Sequence, residues 1–165
     1  MLSEYEIVNV KVISGNAFKV TFINEEKQEQ TANVKLRGVI TDRVNVPNNV
    51  ERLFGLHTKE RIQDYFYDGN KSRTKYIFRM SEEKDIHGRI EADFKIEGDL
   101  RSLCAIIISE GYGVPFRNQS LDSIMTDLEA NRERLLFEGK VKKEDLEYIQ
   151  WQMKNKNLMM MYRYI

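Results

Sequence analysis

Only one cysteine, Cys104, occurs in 165 residues, so no disulfide can form within the chain and a reducing compartment is expected. Histidine is nearly as scarce, and neither His57 nor His87 has a Cys, His or Asp companion at metal-ligand spacing. Proline is confined to Pro47 and Pro115, and no low-complexity linker or internal repeat interrupts the chain. Net charge is also missing: 26 Lys and Arg offset 26 Asp and Glu. That balance argues against a protein coating duplex nucleic acid by charge alone, yet it permits a local basic pocket. Long apolar runs are absent as well. The longest, Leu103–Ile108, is of core length and cannot span a bilayer, so no membrane partner is expected. The opening Met-Leu-Ser-Glu-Tyr-Glu lacks the basic region and apolar run of a secretory leader, which makes a cytoplasmic location the expectation.

What is present is alternation. Val8, Val10 and Val12 mark a strand over Ile7–Ile13, and Ser14-Gly15-Asn16 reads as a tight turn in which Gly15 is free to take positive φ. Phe18, Val20 and Phe22 mark the returning strand, and a third strand spans Asn33–Val39. The segment Ile40–Asn49 reads as a loop, followed by a helix that starts between Asn49 and Leu56 and ends at Asp68-Gly69-Asn70. Tyr76, Phe78 and Met80 alternate with Lys75, Ile77 and Arg79 as a fourth strand. Ile90, Ala92, Phe94 and Ile96 mark a fifth. Helices are expected over Leu100–Ser109, capped by Asp99, from Ser120 to Gly139, and over Glu144–Tyr162. Three strands, a helix, two strands and then helices is an α+β order. It is the layout of a five-stranded OB-fold barrel with a helix between strands 3 and 4.

Within that order the stretch Asn33–Arg43 draws attention. Val34, Leu36 and Gly38 alternate with Lys35 and Arg37, so two cations share one face of a strand that opens into a loop. Two readings stand: the solvated face of an ordinary strand, or an anion site at a barrel mouth.

Several stretches together resemble the staphylococcal nuclease family, the thermonuclease-like OB-folds. Ile13-Ser14-Gly15-Asn16 resembles the family's first hairpin, with its Asp-Gly-Asp-Thr. Val34-Lys35-Leu36-Arg37-Gly38-Val39 resembles its Val-Arg-Leu-x-Gly-Ile strand. Phe54-Gly55 resembles the aromatic-Gly opening its first helix, and Asp85-Ile86-His87-Gly88-Arg89 its Asp-x-Tyr-Gly-Arg turn. The resemblance covers roughly Ile7 to Phe137. It implies a domain over residues 1–138 and a helical extension over 139–165. In that family carboxylates hold one calcium ion, a glutamate sits near the attacking water and two arginines grip the phosphate, a division of labour that suits a hard cation and a phosphodiester. Carried over, the ligand aspartates become Asn16 and Ile40, the glutamate becomes Arg43 and one arginine becomes Lys35. Arg89 alone matches outright.

The resemblance therefore implies a catalytically inactive binding module with neither metal nor cofactor. Its phosphate site would consist of Lys35, Arg37, Arg43 and Arg89, its ligand being single-stranded nucleic acid or a nucleotide. The alternatives are a calcium-dependent nuclease that relies on Asp42 and Asn16, and a protein-interaction module. The last draws on the C-terminal helix, where Trp151, Met153, Leu158, Met159, Met160, Met161 and Tyr162 form a soft apolar surface. Packing on the barrel is the simpler reading of that surface, and a protein partner or a homodimer contact the sharper one. Trp151, Met159, Met160 and Tyr162 are its candidate contact residues. Cys104 reads as a buried small hydrophobe, and Glu91 with Asp93 as strand-face charge pairing.

Overall fold

The structure is a computed structural model that describes residues 3–67, 73–79 and 83–162. The side chains of residues 79 and 157–162 fall outside the description. Seven strands and four helices appear among the described residues. In chain order they are β1 (Ser3–Val12), β2 (Ala17–Ile23), β3 (Glu29–Leu36), β4 (Val39–Thr41), α1 (Asn49–Tyr67), β5 (Lys75–Arg79) and β6 (Ile90–Ile96), then α2 (Leu103–Ser109), β7 (Gly113–Pro115), α3 (Leu121–Phe137) and α4 (Lys143–Tyr162).

Five strands close on themselves in the order β1-β2-β3-β6-β5. The long β1 makes closure possible, pairing with β2 through Ile7–Val12 and with β5 through Ser3–Glu6. β3 and β6 run parallel, with Val34 opposite Ile90. Val10, Val12, Phe18, Val20, Val34, Leu36, Ile90, Ala92, Phe94 and Ile96 all point into the barrel and are buried. α1 adds Ile62, Tyr65 and Phe66 to this core, and α2 adds Leu103, Ile106 and Ile107. Phe18, Phe66 and Phe94 meet edge to face with centroids 5.0–6.2 Å apart, the arrangement that aromatic quadrupoles favour. No helix among the described residues is long and apolar enough to cross a membrane.

The expected elements differ from the observed ones at physically informative places. A register shift between Ile7 and Asn9 turns Val8 outward, although the sequence alternation had grouped it with Val10 and Val12. On β5 the buried residue is Ile77, whereas Tyr76 and Phe78 are half-buried; both faces carry bulky apolar groups, so alternation does not identify the inner one. Met80 lies outside the described residues. The strand expected over Asn33–Val39 breaks at Gly38, whose φ of +66° reverses the chain, so that Val39–Thr41 pairs with β7 and not within the barrel. Asp99 gives way to Ser102 as the cap of α2: Ser102 Oγ accepts the Ala105 N–H, while Asp93 Oδ1 accepts that of Cys104. Asp93 thus supports the first turn of α2 and forms no ion pair among the described residues, whereas Glu91 stands opposite Lys35 of β3.

α1 begins at Asn49, its first turn capped by Asn48 Oδ1, which accepts from the Val50 and Glu51 N–H groups. Gly55 does not delay that start. A Cβ there would lie 2.6 Å from the Arg43 carbonyl oxygen, because the loop after β4 rests directly on this turn of the helix. Gly55→Ala should therefore lower stability by about 1–3 kcal/mol through overpacking, despite the better helix propensity of alanine. Urea unfolding checks this; a stability gain would mean that propensity outweighs the contact.

Candidate functional site

The positions singled out by the resemblance gather around the β1–β2 turn, the end of β3 and the loop after β4. At the turn, Ser14 Oγ donates to Asn16 Oδ1 at 3.1 Å, and the Asn16 carbonyl accepts the Leu36 N–H at 2.8 Å. Gly15 is required for space and not for φ, which is not positive. A Cβ on it would come within 2.6 Å of Thr41 Oγ1 and 2.8 Å of Thr58 on α1. The turn, the β4 exit and α1 are therefore locked together, with Thr41 and Thr58 buried between them.

The loop that follows is occupied by structural contacts. Ile40, half-buried, packs against Val114, Ile124 and Leu128, the cluster that docks α3 onto the β4–β7 ladder. Asp42 is buried and accepts two hydrogen bonds from Arg132 of α3, Nε to Oδ2 at 3.0 Å and Nη2 to Oδ1 at 2.5 Å. Burial pushes the Asp42 carboxyl up from its ordinary range, and the Arg132 guanidinium opposes that only in part. The same guanidinium lies 6.0 Å over the Phe54 ring. Arg43, with its side chain 73% exposed, hydrogen-bonds Glu51 through Nε at 2.9 Å. Burial raises Glu51, but the hydrogen bonds and charge of Arg43 together hold it below the usual carboxylate range.

Arg89 is likewise engaged. Asp85 Oδ1 accepts the N–H groups of Arg89 and His87, and its Oδ2 accepts from Arg89 Nε at 3.0 Å. Those contacts, the Arg89 backbone N–H foremost, depress the Asp85 carboxyl. Lys35 and Arg37 differ: neither has an ion-pair partner among the described residues. Lys35 stands opposite Ala17 on β2 and Glu91 on β6, and Arg37 is exposed just past the end of β3. Arg89 enters β6 one residue before Ile90, so Asn16, Lys35 and Arg89 lie along adjoining strand ends. Ile40 and Arg43 are directed into other contacts. Cys104, expected to be buried, is half-buried against the core; it donates its thiol to the Arg37 carbonyl, and desolvation pushes its pKa up.

Pairing register adds two cations that alternation alone did not single out. Lys11 and Lys19 are directly opposite across β1 and β2, both exposed, and Asn33 of β3 continues the row. Lys35 is the diagonal neighbour of Lys19 on the same outer face. Directly opposed side chains have Cβ atoms about 4.5–5.5 Å apart, and like charges so placed repel. Neither lysine has an ion-pair partner among the described residues. The adjoining row is neutral and polar: Asn9, Thr21 and Thr31, the two hydroxyls 3.0 Å apart.

At the C-terminus, Trp151 is 59% exposed and stacks on Tyr148. Met159, Met160 and Tyr162 lie where side chains are outside the described residues. Among the described residues no three of His, Cys, Asp and Glu gather as a metal would require.

Breaking the Asp42–Arg132 pair from one side should be costly. Arg132→Met leaves a buried carboxylate without its partner and should destabilise by about 3 kcal/mol, whereas Asp42→Leu with Arg132→Met should recover most of the loss. Chemical unfolding of the two variants beside the parent checks this; equal losses in the single and double variants would contradict it.

No family model matches the chain, and no curated protein matches it in sequence.

Proposed function

We propose that this protein is a catalytically inactive OB-fold module of the staphylococcal nuclease kind that binds single-stranded nucleic acid along the outer face of β1, β2 and β3. The OB-fold reading is supported by the ring order, in which the third and last barrel strands run parallel and α1 joins the third to the fourth. The observation that carries the function is the Lys11–Lys19–Asn33 row with Lys35 and Arg37 beside it. An isolated protein gains nothing from opposing two lysines. A phosphate backbone laid across them removes the repulsion and releases counterions. The absence of an exposed aromatic in these rows favours contacts to phosphate and sugar over base stacking, hence weak sequence preference.

The same geometry argues against hydrolysis as the activity. Asn16 accepts from Ser14, Ile40 is part of the α3 docking cluster, Asp42 is bound by Arg132, and Arg43 stands where the family resemblance puts the base. Each position that would hold a cation or activate water is neutral, cationic or already partnered. Arg43 and Arg89 are offset by Glu51 and Asp85, which leaves the free cations on the barrel face as the anion site. A second reading, contact with a protein through α4, is favoured by the exposed Tyr148–Trp151 stack.

Fluorescence anisotropy with oligothymidylate tests the first reading. Affinity should fall with salt, and Lys11→Ala and Lys19→Ala should each weaken binding and reduce the log–log salt slope by roughly 0.7, the value of one phosphate contact on a single strand. Arg43→Ala should leave both unchanged, and the oligonucleotide should stay intact with calcium. Loss of binding in the Arg43 variant with retention in the lysine variants would place the site at the loop instead.

A further inference from the structure

α4 carries more apolar surface than its own fold uses. A helix of 20 residues extends about 30 Å. It packs against α1, and Leu146 meets the Phe54–Leu135–Val141 cluster. No described side chain of α4 is buried; Leu146, Ile149 and Asn155 are half-buried and the rest exposed. Away from the Leu146–Ile149 face lie Tyr148 and Trp151, 58% and 59% exposed, with rings stacked at 6.1 Å and 17°. With Asn155 they follow the three-then-four spacing of a coiled-coil seam, and the sequence continues that spacing within the helix at Leu158 and Tyr162. A polar Asn inside such a seam fixes register and partner number at some expense of stability.

Charge along the helix selects the occupant. After Lys143 at its start, Glu144, Asp145 and Glu147 lie in its first half, and Lys154 and Lys156 in its second. Neither Glu147 nor Lys154 has an ion-pair partner among the described residues. A second copy of the same helix running antiparallel matches this pattern. When Tyr148 faces Trp151 of the other copy, Glu147 flanks Lys154 of that copy twice over, by symmetry. Glu144 then shares a polar layer with Asn155. A parallel pair would instead set Glu144 against its own counterpart.

We infer that the protein forms a twofold homodimer through antiparallel pairing of α4, with Tyr148 and Trp151 as its apolar centre and Glu147–Lys154 as its orienting charge pair. This rests on reading α4 as a contact surface and is independent of nucleic-acid binding by the barrel face.

Sedimentation equilibrium of the full chain tests it. The protein should pass from monomer to dimer with rising concentration, and Trp151→Ala should weaken the dimer about 30-fold or more. Glu147→Lys and Lys154→Glu should each weaken it about tenfold, because two attractive contacts become repulsive. The double variant Glu147→Lys/Lys154→Glu should regain parental affinity. Circular dichroism confirms that each variant keeps its fold. A monomer at every concentration, or a dimer indifferent to Trp151→Ala, overturns α4 as the interface. A dimer sensitive to Trp151→Ala but not rescued by the double swap overturns the antiparallel pairing. Oligothymidylate binding by the Trp151→Ala variant should equal that of the parent, so failure of the dimer leaves the barrel-face reading standing.

Discussion

The buried pair between Asp42 and Arg132 is the contact around which the candidate site is arranged. It links the loop after β4 to α3 across 90 positions of sequence. Two charges out of water are expensive unless both are fully partnered, and here each carboxylate oxygen receives its own N–H. Once that pair forms, the loop has little freedom. Its Arg43 carbonyl sits where the missing Cβ of Gly55 leaves room, Thr41 fills the space beside Gly15, and Ile40 lies under α3. Four chain segments thereby meet at one point, where the Asp42 carboxylate is taken up by Arg132.

That rigidity separates the cations into two groups. Arg43 and Arg89 belong to local ion pairs that shape a helix start and a turn. Lys11, Lys19, Lys35 and Arg37 stand on or beside the barrel wall with no ion pair among the described residues, although Lys35 faces Glu91 across the β3–β6 pairing. A chain with zero formal net charge thus gathers several lysines on one face, so the overall balance of charge does not describe the local one.

The sequence made part of this legible. Alternation identified the five barrel strands because their inner faces are nearly all Val, Ile, Phe and Leu, and Ser120 was visible as a helix cap. It failed where a single residue changes geometry without changing composition: the bulge near Val8 and the reversal at Gly38. Gly15 reads in sequence as a turn glycine and Gly55 as part of a helix opening, but both are close-approach positions, a property that exists only once distant segments are packed. The opposition of Lys11 and Lys19 depends on register, and the partnership of Asp42 with Arg132 depends on tertiary docking. In the sequence Arg132 is one of many charges on an amphipathic helix, with no local signal to distinguish it.

We propose that ligand contact is left to the barrel wall while the loop after β4 serves the fold. Amide chemical-shift mapping of the isotope-labelled chain with oligothymidylate addresses it most directly. Perturbations should concentrate at Lys11, Lys19, Asn33 and Lys35, with Asp42, Arg43 and Arg132 unmoved. Perturbations centred on residues 41–43 and 132, with the lysine rows silent, would contradict it.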